Sequence, residues 1–212
     1  MKILIGCEES QIVTEQFRKL GFEAYSCDIQ KSSGNLPEYH FQNDIFNIIN
    51  SYHWDVLIYF PPCTHLAVSG AAHFEQKRKD GRQKEAINFF LQLVNVNIKH
   101  IAIENPVGIM SNIYQKPDQI INPYYFGDPV SKKTCLWLKN LPKLIHVKQD
   151  NLFEKKTWVN YNYVVYNDGK KYSGGAAKWY KTKEERSKER SKTFFGIANA
   201  MAIQWGNYLK SI

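Results

Sequence analysis

A single α/β domain with an open, doubly wound sheet is the expectation for this 212-residue chain, and three features lead to it. Mostly apolar runs of strand length recur at Lys2 to Cys7, Phe22 to Cys27, Trp54 to Phe60 and His100 to Ile103. Stretches with the apolar period of helices lie between them, the alternation that builds a parallel sheet with helices on its faces. Two of the runs stop at prolines, Pro61-Pro62 and Pro106, which cannot donate to a ladder and bias the residue before them away from helix. The strand tips defined in this way share the carboxyl edge of the sheet, where open α/β folds hold their ligands.

Lys2 to Cys7 opens the chain as a buried strand. Ser10 to Leu20 follows as an amphipathic helix with Ile12, Val13, Phe17 and Leu20 inward, Ser10 as N-cap and Gly21 as the left-handed residue that ends it. Phe22 to Cys27 completes a β-α-β unit, so it lies parallel to the first strand. Asp28 at its tip stands where a nucleotide-type cofactor finds an acceptor for a ribose hydroxyl, or else it caps a turn. Gln30 to Phe41 is polar and reads as a surface loop; Asp44 then caps a short helix, Ile45 to Tyr52.

The strand from Trp54 ends at Pro61-Pro62-Cys63 and leaves Cys63 at the carboxyl edge. A free cysteine is usually a small buried apolar residue, and it becomes a nucleophile where its pKa is lowered. Thr64 to Gly81 reads as a mobile loop whose basic middle is either a solvated face or a phosphate contact. Lys84 to Val96 is a helix with Ala86, Phe89, Phe90 and Leu93 inward. His100 to Pro106 is the next buried strand and carries Glu104 and Asn105 at its tip. In a doubly wound sheet that tip lies beside the Cys63 tip, so Cys63, Glu104 and Asn105 converge on one crevice. Lys132 and Lys133 sit in a turn before a further strand, and an apolar helix from Ser191 packs back on the domain with Asn199 in its middle.

The chain divides into a core over 1–140, a small basic segment over 141–190 and the closing helix over 191–212. The net charge is +8, and between Gly169 and Lys192 nine Lys/Arg oppose three Glu, so most of the excess lies there. Aromatics interleaved with cations are the composition of a nucleic-acid surface, or of a solvated β-ribbon. The four cysteines are widely spaced and suggest neither a disulfide framework nor a metal site, which fits a cytoplasmic protein with reduced thiols. No apolar run reaches membrane-spanning length, and Met1 to Gly6 reads as a strand rather than a signal peptide.

The order of motifs resembles the cytosine carbon-5 DNA methyltransferases, and within them the short, phage-type members. Pro61-Pro62-Cys63 looks like the nucleophile motif of that family. Ser69-Gly70 and Asp80-Gly81-Arg82 resemble its loop over the target base, and Glu104-Asn105-Pro106 its Glu-Asn-Val motif. Phe126-Gly127 with Lys132-Lys133 looks like its basic motif, and Gly196-Ile-Ala-Asn199-Ala like its final helix. The resemblance implies a Rossmann-like transferase sheet and S-adenosylmethionine as cofactor, with no metal. It also implies DNA binding and cytosine methylation, with Cys63 as nucleophile, Glu104 as acid and Asn105 as holding residue. Cofactor contacts would come from Gly6, Cys7, Glu8, Ser10, Asp28, Asp44, Pro61 and Asn199, and substrate contacts from Ser69, Arg82, Lys132 and Lys133. The chain departs from the family pattern in a β1–α1 turn with one glycine, a basic motif without arginines, and only about fifty residues for target recognition. RNA or a free cytidine nucleotide therefore remains open as substrate, as does a catalytically idle nucleic-acid-binding protein.

Overall fold

The computed structural model describes residues 1–147, 159–160, 164–165, 171–172, 182 and 191–212. Seven strands form one sheet: β1 (Lys2–Gly6), β2 (Glu23–Asp28), β3 (His40–Gln42), β4 (Val56–Tyr59), β5 (His100–Pro106), β6 (Gln119–Ile121) and β8 (Thr134–Lys139). Their spatial order is β3-β2-β1-β4-β5-β8-β6. All neighbours from β3 to β5 pair parallel, whereas β8 runs antiparallel between β5 and β6. The chain winds outward from β1 in one direction and then from β4 in the other, so the reversal lies between β1 and β4. This is the doubly wound, Rossmann-like α/β fold expected.

Both faces are covered, which explains why Val56–Tyr59 is apolar throughout rather than alternating. One face carries Ile3, Ile5, Val56, Ile58 and Ala102 against α1 (Ile12–Lys19) and the C-terminal helix. That helix is α6 (Phe195–Ala200), a π-helical stretch (Met201–Trp205) and α7 (Gly206–Lys210), and it buries Met201, Trp205 and Leu209. The other face carries Leu4, Leu57, Tyr59, Ile101 and Ile103 against α2 (Ile45–Ser51) and α4 (Arg82–Val94), with Ile48, Phe90 and Leu93 buried. Gly21 ends α1 at φ +82°, and the Asp44 carboxylate accepts from the Phe46 amide at 2.8 Å to cap α2, both as expected.

Four expectations are corrected. Ser10 is not the cap of α1: the helix begins at Ile12, and the buried Glu8 carboxylate accepts from the Val13 amide (2.6 Å) and the Thr14 amide (3.3 Å) instead. Gln30 to Phe41 is not all loop, since it ends in β3, a three-residue edge strand held by Ser26, Cys27 and Asp28 of β2. Thr64 to Gly81 is largely helical, with a 3-10 stretch (Val68–His73) and α3 (Phe74–Lys79). Short elements also occur at α5 (Met110–Ile113) and β6, where no element was expected.

Leu141 to Val147 is tied to the core. Gln119 and Leu144 exchange two hydrogen bonds of 2.7 and 2.8 Å, and the Trp205 indole donates to the Pro142 carbonyl at 2.8 Å. The rest of the expected basic segment, 148–190, lies outside the described residues apart from residue 182 and three two-residue strands. Of these, β9 (Val159–Asn160) pairs with β7 (Val130–Ser131), and β10 (Val164–Val165) with β11 (Lys171–Tyr172).

Candidate active site

The parallel register sets Tyr59 beside Ile103, so the residues that follow each strand meet at the carboxyl edge. There the buried Asn105 side chain donates to the Pro61 carbonyl at 2.8 Å. One hydrogen bond thus ties the tip bearing Glu104 to the tip bearing Cys63. Beyond the prolines the chain turns sharply, with the amides of Leu66 and Ala67 donating to the Cys63 carbonyl at 3.0 and 2.9 Å. The turn is then gripped from three further sides. Lys77 of α3 donates to the Thr64 carbonyl at 2.6 Å, Gln83 of α4 to the His65 carbonyl at 3.2 Å, and the Ile109 amide to the Leu66 carbonyl at 3.0 Å. Cys63 itself is half-buried, the state in which a thiol is both shaped by its surroundings and reachable.

Glu104 is half-buried, accepts a hydrogen bond from the Thr134 hydroxyl, and is pushed up to about 7 by burial, against an opposing pull from the Lys132 ammonium. Lys132 is therefore close enough to act on the Glu104 carboxyl, and its ammonium also lies 5.7 Å from the centre of the Phe194 ring. Lys133 is exposed. Ser69 is exposed in the 3-10 stretch, and Arg82 starts α4 with its guanidinium held by Asp80 at 2.5 and 2.9 Å. Of the residues expected to touch substrate, Lys132 is the one the fold brings to Glu104.

The residues expected to hold a cofactor lie at or just after the carboxyl ends of β1 to β4, apart from Asn199 on α6. Gly6 ends β1 where an added Cβ would stand 2.6 Å from the Tyr59 ring, so no larger residue fits. Cys7 follows at φ +58°, its thiol raised by burial and then by the Asp28 carboxylate. Ser10 and Pro61 are buried, while Asn199 is half-buried on α6. Asp28 ends β2 half-buried; one carboxylate oxygen accepts from the Gln30 amide at 2.8 Å. Burial raises its pKa, and the neighbouring Glu9 carboxylate adds to the rise. Asp44 is exposed at the cap of α2. Glu8 points into the protein, where it fills the amino end of α1 and also accepts from the Thr14 hydroxyl at 2.6 Å.

No family model matches the sequence, and no curated protein matches it. Among solved structures the chain is similar to a candidate DNA modification methyltransferase encoded within an E. coli prophage. The identity is 16% and the TM-score 0.46, over 65% of this chain and 46% of that one. The chain thus spans less than half the length of that protein.

Lys77, Gln83 and Thr134 are polar residues of this site that the sequence reading did not single out. Lys77 lay in a basic run whose members look alike in one dimension, although its spacing from Phe74 puts both on one helical face. The positions of Gln83 and Thr134 carry no such signal.

Proposed function

We propose that the chain is an S-adenosylmethionine-dependent methyltransferase acting on carbon-5 of cytosine in DNA through a covalent Cys63 adduct. The observation that carries the reading is the Asn105–Pro61 hydrogen bond, which ties the strand tip before the half-buried Cys63 to the tip bearing the raised Glu104 carboxyl. Carbon-5 of cytosine is a weak nucleophile. Addition of the Cys63 sulfur to carbon-6 turns the ring into an enamine whose carbon-5 can attack an electrophilic methyl group. A carboxyl near pH 7 is protonated often enough to give its proton to ring nitrogen 3 as the adduct forms, and this is the task of Glu104. Asn105 and the grip on residues 64–66 hold the sulfur in place. Loss of the carbon-5 proton then expels the thiolate and restores the aromatic ring.

The cofactor, when bound, supplies that methyl group. The residues at the reversal crevice fit one without phosphates. Helix amino ends bind the phosphates of dinucleotides through free amides, and here the Glu8 carboxylate already takes those of Val13 and Thr14. Asp28 remains at the β2 tip as acceptor for a ribose hydroxyl. A base in duplex DNA must leave the stack to reach such a crevice, and a net charge of +8 favours the polyanion that carries it.

The test is incubation with S-adenosylmethionine and duplex DNA containing 5-fluorocytosine, followed by a denaturing gel. Fluorine cannot leave as a proton does, so the protein is expected to stay joined to the DNA, and the shifted band to vanish in Cys63→Ala. Adducts on RNA or free nucleotide but not on DNA would change the substrate. Adducts that persist in Cys63→Ala would sink the assignment.

A further inference from the structure

We propose that Lys77 is a positioning residue for Cys63: its buried ammonium fixes the loop behind the thiol and supplies the positive field that favours the thiolate. The inference rests on Cys63 being the nucleophile. Lys77 is 7% exposed, although lysine is almost never buried without an anionic partner. Among the described residues no carboxylate pairs with it: on the same helix Glu75 is taken by Lys79 at 2.9 Å, and just past its end Asp80 is taken by Arg82 at 2.5 Å. What closes around the ammonium is the Thr64 carbonyl at 2.6 Å, the Phe74 ring centre at 5.8 Å, and Gly70, where an added Cβ would stand 3.1 Å from Nζ.

An uncompensated buried cation is costly, so its retention calls for an anion close by. The loop it holds offers one in Cys63, the residue bonded to Thr64. The field of the cation reaches this loop. His65, two residues beyond the thiol, is driven toward its neutral form by burial and then by Lys77 and Arg82, with Asp80 and Glu85 opposing. A field that disfavours an imidazolium favours a thiolate. Gln83 and Asn105 grip neighbouring carbonyls of the same loop, but both are neutral. Of the two cations that act on His65, Arg82 is held by Asp80, whereas among the described residues Lys77 has no carboxylate partner.

Alkylation of Cys63 by iodoacetamide, followed by peptide mass spectrometry from about pH 5.5 to 9.5, reads thiolate formation without any substrate. Wild-type Cys63 is expected to titrate below the ordinary thiol value of about 8.5. Lys77→Met should slow its alkylation about tenfold near neutrality, while Lys77→Arg keeps the wild-type profile. Lys79→Met, an exposed charge on the same helix, should change nothing. Wild-type Cys63 titrating at or above the ordinary value overturns the proposal, and needs no variant to fold. So does an unmoved profile in Lys77→Met, or an equal effect from Lys79→Met. A 5-fluorocytosine adduct with an unmoved profile refutes the role of Lys77 and spares the methyltransferase. A low, Lys77-dependent thiol value with no adduct does the reverse.

Discussion

Replacing Glu104 with Gln removes one titrating carboxyl while keeping the shape and a hydrogen-bonding group beside Thr134. In the folded protein burial lifts this carboxyl from about 4.5 to about 7, while in the unfolded chain it titrates near its ordinary value. Below pH 4.5 both states hold the proton. Between the two values only the native state holds it, so wild-type stability falls as pH rises, and above 7 the whole cost of the buried charge is present. Two and a half pH units at about 1.36 kcal/mol each give about 3 kcal/mol as the ceiling, and partial exposure of Glu104 reduces this to roughly 2. Urea denaturation at about pH 5 and 8, in wild type and Glu104→Gln, reads this as a difference of differences. Glu8 titrates over the same range but is common to both proteins and cancels. The wild type should lose about 2 kcal/mol more than the variant between the two pH values. In the proposed mechanism the same proton serves catalysis, so wild-type kcat should decline above pH 7. In Glu104→Gln it should be lower by about a hundredfold or more, with that alkaline limb gone. Equal pH dependence of stability in the two proteins would refute the raised carboxyl, and with it the acid role.

Two substitutions test the packing behind the site. Tyr59 is fully buried and its hydroxyl has no hydrogen-bond partner among the described residues, so Tyr59→Phe should raise stability by about 1 kcal/mol and Tm by about 2–4 °C. A loss of stability in a thermal melt would mean that the hydroxyl is satisfied in solution. Gly108 bridges to Ala67, and an added Cβ would stand 2.3 Å from the Leu66 carbonyl oxygen, a backbone atom that cannot step aside. Gly108→Ala should therefore cost about 1–3 kcal/mol and slow adduct formation by shifting the loop after Cys63. Unchanged denaturation and adduct yield would contradict the close packing.

What the sequence made legible followed from strong local signals. Strands β1, β2, β4 and β5 were expected close to where they lie, and the β-α-β rule gave their parallel direction. Proline placed the end of β4, glycine ended α1, and Asp44 capped α2, because each of those residues acts on its own backbone. The short edge strands β3 and β6 were missed for the converse reason. Three residues of His-Phe-Gln or Gln-Ile-Ile carry no period, and a neighbouring strand rather than their composition makes them extended. The crevice was legible to the extent that two strand tips had to meet.

The roles of polar residues within the crevice were less legible, because partners distant in sequence decide them. Glu8 is the instructive case. The resemblance puts Glu8 among the cofactor contacts, whereas the structure has it filling the amino end of α1. Packing decides between them: two amides and a hydroxyl of α1 offer a buried carboxylate three hydrogen bonds, so it turns inward, even though burial lifts it to about 7. The consequence reaches the chemistry. A carboxylate in that place takes the amides that a phosphate would use, which is the ground for proposing a cofactor without phosphates. Lys77 follows the same logic from the other side, as one cation of a basic run drawn under the loop that carries Cys63 while its neighbours stay in water.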